Sequence, residues 1–251
     1  MVALMLAESA LEIVERLSTA VLVVLFLTAI SPAAAGQQQF SKTFPVSSDQ
    51  NALEVINQQG SIKVTAAAAN SGKVVINARH SDGNPRVDAI QTPDGKIKVE
   101  VSGRGLTDFE ISVPTSTQLD LLTYKGMISV ANLNAPVRAR TTTEGDIKFA
   151  NLHSQRVEGH STSGNVFFDG EVLPGGEYKF KSFSGKLDLV LSPDADFRLS
   201  ATSSGGVIDL GGFPLKFDRQ TNQLIEAACR TGKAKVSLWT QEGNIHLHRK
   251  P

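Results

Sequence analysis

Cysteine is almost missing from this chain, whose 251 residues include only Cys229. A single cysteine cannot form an internal disulfide, so the fold must depend on burial and backbone pairing. Aromatic residues are scarce at 6%, which argues against an outer-membrane barrel, because such a barrel needs aromatic girdles at both membrane interfaces. The composition is typical of a β-protein rich in turns.

An excess of one charge is also missing. The chain has 25 basic and 25 acidic residues and contains no run of basic residues. It therefore lacks the electrostatic footprint of a nucleic-acid-binding protein, and we expect no nucleic acid among its partners.

The N-terminal segment differs from the rest of the sequence. Residues 17–41 carry no charged side chain, and the apolar run "TAVLVVLFLTAI" is followed by "SPAAAG", which offers small residues for cleavage near Ala35. This pattern predicts a signal peptide over residues 1–35. The alternative is a membrane anchor at residues 17–35, because the preceding segment has three glutamates against Arg16 alone and so lacks the usual positive n-region. Either reading predicts export to the periplasm, the cell surface or the medium.

The remaining chain repeats one short pattern. A glycine follows a small polar residue by three positions, and apolar residues stand two and four positions after the glycine. The repeat glycines are Gly60, Gly126, Gly145, Gly164, Gly185, Gly206 and Gly243. The small polar residues are Asn57, Thr123, Thr142, Ser161, Ser182, Ser203 and Thr240. Apolar and polar residues alternate on both sides of each glycine, so each unit is predicted to be strand, turn and strand.

The repeat has a steady period. Between Gly126 and Gly206 the intervals are 19, 19, 21 and 21 residues, and such a period is typical of stacked-repeat folds. A β-propeller blade needs about 40 residues, and hairpins favour Asn-Gly or Asp-Gly turns, whereas this glycine precedes the Asp or Asn. The sequence therefore predicts an all-β, right-handed parallel β-helix or β-solenoid with about 20 residues per coil.

Stacking gives each column of the repeat a structural role. Neighbouring coils lie about 4.8 Å apart, so equivalent residues form ladders. We expect the glycines to mark a bend that needs freedom in φ. The serines and threonines of the small polar column are predicted to form hydroxyl ladders beside them, and the apolar columns to fill the interior.

Residues 36–251 are predicted to form one domain, most regular over residues 117–210. The strands of residues 40–115 are less regularly spaced, and we interpret them as wider coils or a strand-rich cap. The period is lost over residues 211–235, a segment that we interpret as an insertion or a cover over an open sheet edge.

These features resemble a bacterial family of exported β-strand-repeat proteins named putative adhesins, for which no function is established. The matching stretches are "FSKTFPVS", "ALEVINQQGSIKV", the serial glycine units and "KVSLWTQEGNIHL". The resemblance extends over residues 40–247. It implies a β-repeat fold and carries over no catalytic residue.

Enzymes with a β-helix fold use clustered aspartates from adjacent coils for acid–base chemistry. Asp188 and Asp209 share an outward position in consecutive units, and Asp169 lies two positions further along its own unit. No column of carboxylates follows the glycines. We interpret these aspartates as solvated surface residues and predict that the chain is not an enzyme.

The histidines are His80, His153, His160, His246 and His248. The last two have ligand-like spacing, because residues i and i+2 point to the same side of a strand. A metal site needs two further ligands, and the adjacent sequence supplies none. We therefore interpret them as part of an exposed terminal strand and expect no metal and no cofactor.

Two other residues are interpreted as packing residues. Cys229 follows two alanines and is predicted to be a small packed residue rather than a reactive thiol. Trp239 alternates with neighbouring apolar residues, and packing in the core or a cap is favoured over exposure on a sheet face.

Three functional hypotheses remain from the sequence. The favoured one is a non-catalytic cell-envelope protein whose β-faces bind a protein, a glycan or another copy of itself. The second is a membrane-anchored regulatory or stress module that keeps its N-terminal segment. The third is a polysaccharide-active β-helix enzyme, which requires Asp188 and Asp209 to converge in one cleft with a third acid.

Overall fold

The computed structural model describes residues 38–46, 51–67 and 72–251. The predicted signal peptide or anchor at residues 1–35 lies outside the described residues. Within the described part of the chain, no helix is long and apolar enough to cross a membrane.

The described residues form 21 strands. The first ten are β1 (Gln38–Pro45), β2 (Ala52–Gln59), β3 (Ile62–Ala66), β4 (Lys73–Gly83), β5 (Arg86–Gln91), β6 (Ile97–Ser102), β7 (Gly105–Val113), β8 (Gln118–Lys125), β9 (Ile128–Ala131) and β10 (Val137–Glu144). The others are β11 (Ile147–Leu152), β12 (Arg156–Ser163), β13 (Val166–Gly170), β14 (Glu177–Ser182), β15 (Leu187–Leu191), β16 (Phe197–Ser203), β17 (Ile208–Asp209), β18 (Leu215–Gln220), β19 (Leu224–Cys229), β20 (Ala234–Thr240) and β21 (Ile245–Arg249).

In the described region these strands build two sheets, of ten and eleven strands. The first sheet has the order β1-β4-β7-β3-β9-β11-β13-β15-β21-β17, and the second has the order β18-β19-β16-β20-β14-β12-β10-β8-β2-β6-β5. Each coil gives one strand to the second sheet and the next strand to the first, and neighbouring coils pair in parallel. The prediction of an all-β solenoid is confirmed.

Both ends of the solenoid depart from simple stacking. The coil of β20 and β21 lies between the coil of β14 and β15 and the coil of β16 and β17. At the other end, β6 and β7 lie outside β2 and β3. Stacking of each coil on its sequence neighbour is therefore wrong at the ends. At the C-terminal end, the antiparallel hairpin of β18 and β19 pairs with the outer side of β16, and the last coil pairs with its inner side.

The segment without a period thus extends the second sheet through this hairpin, as a cover at that end. The less regular N-terminal region contains one ordinary coil, β2 with β3, which pairs in parallel with β8 and β9. Beyond β6 and β7, the outer strands β1, β4 and β5 pair antiparallel.

The space between the sheets is filled by the inward side of each strand. Phe149, Phe168 and Phe180 are fully buried there, and the rings of Phe168 and Phe180 lie 5.1 Å apart between centroids. Gly159 makes room for them, because a methyl group at this position would lie 2.9 Å from the Phe149 ring. Large and small side chains therefore alternate across the interior, as close packing requires.

The repeat glycines stack at one corner of the coils. A methyl group at Gly185 would lie 1.8 Å from the carbonyl oxygen of Gly164, and one at Gly126 would lie 2.1 Å from that of Gly60. At Gly126 φ is 139°, a conformation that favours glycine. Positive φ values also occur at Gly60 and Gly145 but not at the four later repeat glycines. The expected need for φ freedom therefore applies only to the first three, and close approach of the next coil is the requirement shared by all.

A ladder of buried polar side chains runs beside this corner. Six members donate a hydrogen bond to a corner carbonyl of the adjacent or own coil, as Ser182 does to Gly164 at 2.8 Å and Thr240 to Gly185 at 3.0 Å. Three of these hydroxyls, those of Ser182, Ser203 and Thr240, also accept a hydrogen bond from the amide of their own repeat glycine, at 2.8 Å in the Ser182 unit. Each hydroxyl thus joins two coils.

One member of the predicted ladder is wrong. A bulge in β10 shifts the register between Thr141 and Glu144, so Thr141 and not Thr142 pairs with Ser161. Thr141 is buried and its hydroxyl lies 2.8 Å from that of Ser161, whereas Thr142 is exposed. Counting back from the glycine fails here because the bulge adds a residue.

Replacement of a corner glycine should destabilise the whole solenoid. We expect Gly185→Ala to lower the free energy of unfolding by about 3 kcal/mol or more, because the backbone of the next coil must move away. Urea denaturation of the purified chain measures this. Gly205→Ala is the matched control, since its methyl group would meet no atom closer than 3.3 Å. Equal stability of the two variants would contradict the close-approach argument.

The neighbouring threonines test the register of the ladder. Thr141→Val should cost about 1 kcal/mol of unfolding free energy, because it removes the buried hydrogen bonds of the Thr141 hydroxyl to Gly145 and Ser161. Thr142→Val should change it by less than about 0.5 kcal/mol, as is usual for an exposed site. Thermal and urea denaturation of both variants provide the comparison. A larger loss of unfolding free energy in the Thr142 variant would show that Thr142, and not Thr141, belongs to the ladder.

Candidate functional site

The structure separates the two aspartates considered for acid–base chemistry. Asp188 pairs in register with His246 of β21, and His246 pairs in turn with Asp209. A whole coil therefore lies between the aspartates, which corrects the expectation that they occupy adjacent coils. Their strands are roughly 9–10 Å apart, two strand spacings.

The histidine pair of β21 lies on the outer side of the first sheet, where His246 stands between Asp188 and Asp209. The rings of His246 and His248 are nearly parallel, 6.0 Å apart with an interplanar angle of 12°. Strand β21, the last of the chain, pairs with β15 and β17 on its two sides, so it is not an edge strand, although His248 on its outer face is exposed as expected. The out-of-order insertion of the last coil is the cause.

Carboxylates do flank these histidines, although the sequence did not show it. His246 Nδ1 lies 3.9 Å from an Asp209 oxygen, and His248 Nε2 lies 3.9 Å from an Asp188 oxygen, which is too far for direct hydrogen bonds. Asp169 instead forms an ion pair with Lys250 at 2.6 Å. In the described part of the chain, no group of three or more His, Cys, Asp or Glu residues is arranged to hold a metal ion.

The other candidates have local structural roles. His80 is buried and lies 3.0 Å from the Thr107 hydroxyl. His153 lies 3.0 Å from a Glu171 oxygen. Cys229 is buried, and burial raises the pKa of its thiol, as expected for a packed residue rather than a reactive thiolate.

A cationic surface lies on the outer side of the second sheet, where strands β10, β12 and β14 run parallel. Alternate residues of each strand point outward, so Arg140, His160 and Lys181 form one row across the strands. Arg138, Glu158 and Lys179 form the row beside it. We call the surface formed by Arg138, Arg140, Arg156, His160, Lys179 and Lys181 the basic groove.

The basic groove is a series of adjoining depressions. The first, about 150 Å³, lies among the two rows of side chains. The second, about 260 Å³, shares Arg138 and Glu158 with it and adds Asp120 and Arg156. The third, about 620 Å³, shares Arg156 and continues to Lys235. A shallow, connected path therefore crosses several coils.

Only part of the positive charge in the basic groove is neutralised. Arg140 pairs with Asp120 at 2.9 Å, whereas the Arg138–Glu158 and Lys179–Glu177 distances are 3.5 Å. Within the described residues, Arg156, Lys181 and Lys235 form no ion pair. Cations therefore outnumber carboxylates along the path.

His160 responds to this positive field. Partial burial, followed by the charges of Lys181, Arg140 and Arg138, lowers the pKa of His160 below its ordinary value of 6.5. The ring is therefore mainly neutral at pH 7. An anion placed among these cations would have the opposite effect and would raise the pKa of His160.

The only tryptophan lies at the end of the central row of the basic groove. Trp239 of β20 is in register with Lys181 on one side and Thr202 on the other. It is half-buried and points outward, because its neighbour Leu238 occupies the inward position. The preference for core or cap packing is therefore wrong.

Sequence reasoning missed the basic groove, although a signal existed. Its central row comes from the position directly before each ladder hydroxyl: Arg140 before Thr141, His160 before Ser161, Lys181 before Ser182 and Trp239 before Thr240. Aligning that column, with the bulge of β10 and the true coil order, would have placed these residues together.

The fold and surface define a class of protein: a flattened β-solenoid whose coils stack through a glycine corner and carry open outer faces. The chain belongs to the Toastrack DUF4097 family, whose model matches residues 38–248. This confirms the resemblance to β-strand-repeat proteins named putative adhesins. No curated protein sequence is significantly similar to the chain.

Two solved structures match the chain at low sequence identity. One is a "putative cell adhesion protein" from Clostridium sporogenes ATCC 15579, with a TM-score of 0.52 and 11% identity over 85% of this chain and 100% of that chain. Another is a "putative adhesin" from Bacteroides fragilis NCTC 9343, with a TM-score of 0.43 and 14% identity over 87% of this chain and 100% of that chain. The first supports the fold assignment alone.

Titration of His160 tests the electrostatics of the basic groove. We expect its midpoint below 6.5 in histidine NMR spectra, and Lys181→Gln should raise it by removing a nearby positive charge. Lys63→Gln, on the outer side of the first sheet, is the control and should leave it unchanged. A His160 midpoint at its ordinary value that does not change in the Lys181→Gln variant would contradict a net positive field.

Proposed function

We propose that this chain is an exported, non-catalytic binding module of the bacterial cell envelope and that the basic groove is its contact surface. The observation that carries the proposal is the groove itself: a connected cationic path across parallel strands, with three cations that form no ion pair within the described residues. An open path of this shape fits an extended partner better than a small enclosed substrate.

The scaffold suits such a role because it holds the contact residues rigidly. Each strand under the basic groove is paired on both sides, so Arg140, His160 and Lys181 keep a fixed spacing. Because the backbone beneath these side chains is already ordered, binding of a partner requires no loop to become ordered. Stacked repeats of this kind present long surfaces for extended contacts.

The enzyme hypothesis has less support. It requires Asp188 and Asp209 to converge in one cleft, and they lie on the outer side of the first sheet with His246 between them. The basic groove lies on the opposite side of the molecule. The regulatory hypothesis differs from ours in the fate of residues 1–35, which an experiment on the expressed protein can decide.

Export is tested by recovering the chain from the bacterium that produces it. We expect it in the envelope or secreted fraction, with an N-terminus near Gly36, because the segment before this residue has the features of a signal peptide. Fractionation followed by N-terminal sequencing measures both. An intact N-terminus in the membrane fraction would favour the anchored regulatory module, and recovery only from the cytosol would overturn export.

Surface binding is tested with the fluorescently labelled chain and intact bacterial cells. Arg156→Glu combined with Lys181→Glu should remove most of the binding, because it reverses two unpaired charges in the basic groove. Lys63→Glu combined with Lys148→Glu makes the same charge change on the other sheet and should leave binding nearly intact. Circular dichroism verifies folding of both variants. Equal binding by the two would overturn the groove as the contact surface.

A further inference from the structure

We infer that the basic groove binds a linear acidic polysaccharide, with a sugar carboxylate at Lys181, which forms no ion pair within the described residues, and one sugar ring stacked on Trp239. This inference rests on the proposed function of the groove and specifies its ligand. The sugar chain lies across the strands, along the axis of the solenoid.

The spacing of the central row favours a sugar polymer in this direction. Arg140, His160, Lys181 and Trp239 stand on four neighbouring strands, about 4.8 Å apart. This step is close to the length of one pyranose unit. A polymer with one ring per strand therefore brings a substituent or a ring face to each member of the row.

Trp239 supplies what a purely electrostatic site lacks. Its indole is partly exposed in the same row as Lys181, so a ring can lie on it while the preceding carboxylate reaches the lysine. Ser200, Thr202 and Ser237 lie around it on the outer face, and hydroxyls of this kind hydrogen-bond to sugar hydroxyls. The outer face around Trp239 is therefore polar and aromatic rather than cationic.

The row beside the central one argues against a densely charged ligand. There Asp120 and Glu158 alternate with Arg138 and Lys179. Carboxylates would repel the closely spaced phosphates of a nucleic acid, but they accept hydrogen bonds from the hydroxyls of a sugar. A polymer that mixes hydroxyls with well-spaced carboxylates matches both rows.

A nucleic acid fits the aromatic content less well. Proteins that bind single strands place several aromatic side chains for successive bases, whereas this row contains one, Trp239. The chain as a whole also carries equal numbers of basic and acidic residues. The charge excess is local and suits a moderately charged polymer.

The test is calorimetric titration of the full chain with polygalacturonate oligomers at physiological ionic strength. Neutral cello-oligosaccharides, single-stranded DNA and inorganic polyphosphate are the comparison probes. We expect polygalacturonate to bind and the neutral sugar to bind at least about tenfold more weakly. Single-stranded DNA and inorganic polyphosphate should also bind more weakly than polygalacturonate. The bound oligomer should also raise the pKa of His160 in NMR titrations.

Variants locate the ligand in the groove. Lys181→Glu and Trp239→Ala should each weaken polygalacturonate binding by about tenfold, whereas Lys63→Glu on the first sheet should not. Trp239→Phe, which keeps an aromatic ring, guards against misfolding of the alanine variant and should retain most of the affinity. A normal thermal melt is required of each variant.

Three outcomes overturn the inference: no binding of polygalacturonate, equal binding of all polyanions, or binding that ignores Trp239. The proposed function can survive each of them, because the cell-binding assay uses no sugar probe. Loss of cell binding by the Arg156 and Lys181 double variant, together with no polygalacturonate binding, would keep the groove as a contact surface and reject this ligand. Failure of both assays would reject the groove itself.

Discussion

The contact between a buried hydroxyl and a glycine carbonyl at the corner of each coil is the constraint on which the structure depends. The carbonyl can be reached only because the next glycine has no side chain, as at Gly164 and Gly185. This contact fixes the distance between coils, and with it the register in both sheets. The inward columns then meet in the core, and the outward columns form the rows of the basic groove. The arrangement of the basic groove therefore depends on the glycine corner.

Much of the fold was accessible from the sequence, because the corner imposes a pattern on it. The glycine column, the apolar columns and the period identify an all-β solenoid. The order of the coils was not accessible, since a period gives the length of a coil and says nothing about which coil it touches. The bulge at Thr141 was hidden for a related reason. An extra residue leaves the hydrophobic pattern intact and shifts only the counting.

The candidate site was less predictable than the fold. Asp188, Asp209 and His246 drew attention because carboxylates and imidazoles are the usual groups of catalysis, yet each belongs to a different coil and their proximity depends on the coil order. The basic groove has the opposite character. Its residues are individually ordinary, and their meaning comes from alignment across strands, as Arg140, His160 and Lys181 show. A search for motifs along the chain does not find a site whose residues come from equivalent positions on neighbouring strands.

The insertion of the last coil between two earlier ones makes the C-terminal end different from an open-ended stack. The coils between Val137 and Gly170 have both neighbours from adjacent sequence, so a unit could be duplicated or deleted there with the stack closing again. Beyond them, the final strands complete the stack, because β16 can pair on its inner side only after β20 has been synthesised. Growth of such proteins by repeat duplication is therefore confined to the middle, and a ribosome must release almost the whole chain before the stack can be completed.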